Sequence, residues 1–122
     1  MNKLEKSEQI IDLIINLTDE GKLQWEKVNN KKVKDVEFYR CDINLTTGEV
    51  YELIFSRSYD DNLKTYECFE ISLDTLKIRL FSFELPTLRE KLEKLGDTIT
   101  LNQQEAVDDL YTDLIIVLSS MK

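Results

Sequence analysis

Apolar residues change their spacing along this chain, and each change marks an element. Leu4, Ile10, Ile11, Leu13, Ile14 and Leu17 recur at helical spacing, which predicts a helix over 3–20. Gly21 follows where a left-handed C-cap belongs. Ile15 lies off that stripe, so the helix is apolar over much of its circumference, as helices deep in a core or against a second chain are. Residues 22–28, which include Trp25, then alternate with period two and read as a short strand. A polar, positively charged turn over 29–32 leads to a strand over 35–45, with Tyr39, Cys41, Ile43 and Leu45 on one face.

Gly48 closes a tight hairpin into residues 50–59, where Tyr51, Leu53 and Phe55 share one side and Val50 and Ile54 the other. Tyr59-Asp60-Asp61-Asn62 is a second turn signal. Strands follow over 65–73 and 76–83, broken at Asp74-Thr75. Pro86 suits the first turn of a helix, Leu88, Leu92 and Leu95 form its inner stripe, and Gly96 is expected to end it. Thr100 and Gln103 make a capping box that opens a last helix to about 120. In that helix Val107, Leu110, Tyr111, Leu114, Val117, Leu118 and Met121 are expected to face inward. The resulting expectation is one α+β domain over 1–122. It has an antiparallel meander of four to five strands, with an N-terminal helix and two C-terminal helices packed on one face.

Composition narrows the function classes. The 122 residues contain no histidine, which removes the commonest catalytic base and metal ligand. A net charge of −8 disfavours nucleic acid and anionic membrane, and suits a basic protein surface. Cys41 and Cys68 lie in separate apolar runs with no C-x-x-C spacing, so they read as buried thiols of a reducing compartment. The charged opening has no secretory h-region and no apolar run reaches membrane-spanning length. A cytoplasmic location is therefore expected, with no cofactor and no metal. Ala106 is the sole alanine, while Lys, Asn and Ile abound; such composition accompanies AT-rich coding, and a low-GC bacterium or its phage is the expected source.

Few residues suggest chemistry. Ser56, Ser58 and Ser82 have no histidine to activate them and no nucleophile elbow. Asp60-Asp61-Asn62 lacks the ligand spacing of a calcium loop and reads as a turn. Lys27, Lys31, Lys32 and Lys34 concentrate positive charge without a glycine-rich loop, and fit edge protection as well as anion binding. Glu105, Asp109 and Asp113 fall at i, i+4 and i+8 on the last helix. Like charges at that spacing cost a helix a little, so the row is either a solvated face or the contact for a basic partner. Trp25 could anchor a core or an interface, and the strand face it shares with Leu23 favours the core. Arg40, Arg57 and Arg79 alternate with strand residues; together with Tyr51 and Tyr66 they would offer an anionic ligand a sheet face.

The pattern Leu13-x-x-x-Leu17-Thr18-x-x-Gly21-Lys22-Leu23-x-Trp25 resembles the opening of short bacterial and phage-encoded α+β proteins without an assigned activity. In these, a helix ending in Thr-x-x-Gly-Lys leads to a tryptophan-bearing segment, a meander and C-terminal helices. The resemblance implies the fold and brings no site residues. The expectation for function is a non-enzymatic protein-binding module of inhibitor or immunity type, homo-oligomeric, using Glu105, Asp109, Asp113 and Trp25. The alternative is a binder of small anionic, nucleotide-like ligands.

Overall fold

The computed structural model describes residues 1–29, 35–62, 64–82 and 86–121. Its elements are α1 (Lys3–Asp19), β1 (Glu26–Val28), β2 (Val36–Asn44), β3 (Val50–Tyr59), β4 (Thr65–Leu73), β5 (Leu76–Phe81) and α2 (Pro86–Ser120). The five strands form one antiparallel sheet in chain order. Short connections make that order the natural one, since each strand pairs with the one just completed. The Asp74-Thr75 link is a two-residue hairpin, and Asp74 takes the left-handed backbone (φ 53°) that such turns require. Gly48 does the same at φ 91° in the hairpin between β2 and β3.

Alternation sorts the sheet into two faces. Tyr39, Cys41, Leu53, Phe55, Phe69 and Leu80 point to one side and are buried there. Leu23 and Trp25, from the segment before β1, join them in the core. Both helices lie on that side. Asn2 caps α1 by accepting the Glu5 N–H at 2.8 Å, and Gly21 (φ 75°) ends it with the Lys22 N–H on the Leu17 carbonyl. The buried face of α1 is Ser7, Ile11, Ile14, Ile15 and Thr18. This is rotated from the expected stripe: Ile15 is buried and Leu13 is exposed. The rotation follows from Thr18, whose hydroxyl donates to the Ile14 carbonyl and accepts the Trp25 indole N–H at 3.0 Å.

The largest departure from expectation is α2. One helix of 35 residues replaces the two expected, running unbroken through Gly96. Leu88, Leu92, Leu95 and Ile99 are fully buried against the sheet. Asp12 meets Lys91 at 2.8 Å and Thr18 meets Asn102, so α1 and α2 lie side by side and run the same way.

Gly96 is inside the helix because the sheet touches it there. A Cβ at this position would stand 2.4 Å from Arg57 Nη2 and 2.8 Å from Phe55 Cζ. Helix propensity alone would favour alanine by about 1 kcal/mol. The close approach reverses that preference. Gly96→Ala should therefore destabilise the protein by about 1–3 kcal/mol, the usual cost of overpacking. Urea unfolding checks this, and a stabilised variant would mean that Arg57 swings aside without loss.

Candidate functional site

The outer sheet face meets no helix among the described residues. Its central row across the strands is Glu26, Arg40, Ile54, Glu70 and Arg79. Arg40 is held by Asp42 at 3.2 Å and Glu52 at 3.0 Å, which keep its guanidinium firmly charged. Glu70 takes both Lys77 and Arg79 at 3.4 Å. Opposite charges thus already neighbour each other across the face. Tyr66 is on this side, with its hydroxyl on Asp60.

Arg57 and Tyr51 are not. They share the parity of Leu53 and Phe55, so they belong to the inner face, which corrects the expected cluster. Arg57 is only 8% exposed and reaches α2, donating to the Glu93 carbonyl at 2.8 Å and to Asp97 at 3.0 Å. Its Nε lies 3.6 Å from Glu67 Oε1, and Glu67 is 1% exposed. The two groups neutralise each other in the interior without a direct hydrogen bond between them. The anionic-ligand cluster is therefore divided between two faces, and its buried member serves the helix crossing.

Trp25 is 3% exposed, so on the folded chain no partner reaches it. Its carbonyl accepts from Gln103 and its indole N–H donates to Thr18, which ties it to the point where α2 leaves the sheet. The residue is part of the core, a correction to its assignment as a partner contact. Cys41 is buried on the inner face and Cys68 stands on the outer face, so no disulfide joins them. Burial, followed by the Asp42 charge, pushes the Cys41 thiol pKa up. Of the lysine cluster, Lys31, Lys32 and Lys34 lie outside the described residues, while Lys27 is on β1. Among the described residues no cluster of histidine, cysteine or carboxylate side chains could hold a metal ion, and no helix is long and apolar enough to cross a membrane.

The unusual surface is the far half of α2. Beyond Gln103 every described residue of the helix is exposed. The segment projects past the β1 edge for roughly 25 Å at about 1.5 Å per residue. Val107, Leu110, Tyr111, Leu114, Val117, Leu118 and Met121 are 48–77% exposed, contrary to the expectation that they face the core. At about 100° per residue these seven fall within roughly a third of the circumference. Their stripe continues the side on which Gly96 and Gln103 meet the sheet. Glu105 lies opposite the stripe, Asp109 lies towards the far side and Asp113 flanks the stripe beside Val117; all three are exposed, with exposed Ile116 among them. At the root of the projection an open cleft of about 530 Å³ is lined by Lys27, Tyr39, Thr100, Gln103, Val107 and Asp108. A second groove, of about 390 Å³, has an apolar floor of Ile10, Ile71, Ile78 and Leu80 under Lys3, Lys6, Lys77 and Arg79.

Comparison with protein families, with characterised proteins and with solved structures finds no match for this chain.

The internal role of Arg57 has a measurable consequence. Arg57→Met leaves the Glu67 carboxylate buried without its counter-charge, and should cost about 3–5 kcal/mol. Arg57→Met with Glu67→Leu should cost clearly less than the single change, because no charge then remains inside. Denaturant unfolding of both variants checks the cycle.

Proposed function

We propose that this chain is a cytoplasmic, non-enzymatic protein-binding module of inhibitor or immunity type, and that its contact surface is the far half of α2. The observation that carries this reading is the exposed apolar stripe of that segment, backed by a row of carboxylates. A contiguous exposed apolar patch on one helix face is characteristic of protein interaction sites. The carboxylate row Glu105, Asp109 and Asp113 favours a partner with a basic surface. Opposed charges of that kind set encounter rate and partner choice more than raw affinity.

The alternative of a small anionic ligand has weaker support. Arg40 and Arg79 already carry carboxylate partners, and Arg57 is enclosed under α2. A nucleotide would have to displace those carboxylates on a face of mixed charge.

The test is capture of proteins from the host's lysate on the tagged chain, beside the variant Glu105→Lys/Asp109→Lys/Asp113→Lys. The expected result is one stoichiometric basic protein on the wild type, with binding reduced about tenfold or more in the variant at unchanged circular dichroism. Equal capture by both would discard the carboxylate row. An empty wild-type lane, together with a nucleotide-dependent rise in melting temperature, would transfer the function to ligand binding.

A further inference from the structure

The apolar stripe and the Glu105 and Asp109 carboxylates face away from each other on one helix, so a single partner lying along the helix does not cover both. We infer that the stripe is covered by a second copy of this chain, the two projecting helices pairing antiparallel about Leu114. This deepens the reading of the segment as an interaction surface, and leaves Glu105 and Asp109 pointing outward on the pair, with Asp113 at the edge of the seam.

Area, register and charge each point to this occupant. The seven stripe residues are 48–77% exposed, and the area they offer is of the same order as the roughly 800 Å² per partner that a standard interface buries. Their spacing by threes and fours from Val107 to Met121 is that of a helix-pairing seam. The spacing is also self-complementary. With Leu114 at the two-fold axis, Val107 meets Met121 of the second copy, Leu110 meets Leu118, and Tyr111 meets Val117. A two-fold pairing of this kind closes on itself and leaves no free stripe to propagate.

Charge selects the direction. Glu105, Asp108, Asp109 and Asp113 all precede Leu114, and residues 114–121 carry no charge. Parallel pairing would set two carboxylate-rich halves side by side. Antiparallel pairing places each beside an uncharged half, and opposes the two helix dipoles. It also brings the second copy's helix C-terminus, the negative end of its dipole, to the cleft at the root of the projection. That cleft presents the ammonium of Lys27 and the ring of Tyr39.

Sedimentation equilibrium on the full chain tests the pairing. The wild type should sediment at twice its 14.4 kDa chain mass. Leu114→Glu, which sets two carboxylates at the axis, should weaken association about a hundredfold with unchanged circular dichroism, as burying an unpaired charge does. Val107→Glu should weaken it too. Val107→Glu/Met121→Lys should restore it, because each introduced carboxylate then faces the introduced ammonium of the other copy. Lys77→Glu, in the basic groove beside β5, should leave the dimer intact.

A monomeric wild type would overturn the inference, as would a dimer indifferent to Leu114→Glu or one broken by Lys77→Glu. A double variant weaker than Val107→Glu would reject the antiparallel direction. These outcomes are separate from partner capture. A monomer that still retains a basic protein through its carboxylates loses only the dimer, and a dimer that retains none loses only the partner.

Discussion

The contact of Gly96 with Phe55 and Arg57 decides where α2 lies, how it is rotated and how far it runs. Without a side chain at Gly96 the helix backbone settles directly on the centre of β3. Arg57 then holds both the Glu93 carbonyl and the Asp97 carboxylate, which fixes the helix about its own axis. Leu88, Leu92, Leu95 and Ile99 supply the burial, each on the order of 1.5–3 kcal/mol. The arginine supplies the angle. Because a helix is rigid over tens of ångströms, fixing its rotation at one crossing also aims the stripe that begins further along it.

Glu67 shows what this arrangement costs. A carboxylate 1% exposed, without a hydrogen bond, is tolerated only because Arg57 stands 3.6 Å away. An apolar pair of equal volume would pack as well or better. The ion pair is best understood as a locating device: it compels Arg57 to emerge from the sheet at one place and in one direction.

Most of the fold was legible from local pattern. The period-two runs give four strands and offer a fifth near Trp25, of which only Glu26–Val28 pairs, and the turns at Gly48, Asp60 and Asp74 give the order of the four. What local pattern could not resolve was identical local chemistry serving another end. Gly96 followed by Thr100 and Gln103 carries a terminator and a start signal; in the folded chain the glycine makes room for β3, the Thr100 hydroxyl bonds the Gly96 carbonyl, and Gln103 bonds Trp25. Likewise the spacing from Val107 to Met121 reports that a face is apolar and is silent on whether its own sheet lies against it. The carboxylate row was visible as a stripe because i, i+4 and i+8 need no tertiary information. Arg57 was misplaced although its parity with Leu53 and Phe55 already assigns it to the inner face. Arg40 and Arg79 have the other parity, through the register that pairs Arg40 with Ile54 and Glu70 with Arg79.

Because every described residue of the projecting half of α2 is exposed, packing constrains it far less than the rest of the chain. A substitution in the core is filtered by folding, whatever the protein does. A substitution of an exposed residue between Val107 and Met121 largely escapes that filter. Two stretches of one chain are thus open to change to very different degrees, the sheet bounded by its packing and the stripe hardly bounded by it at all.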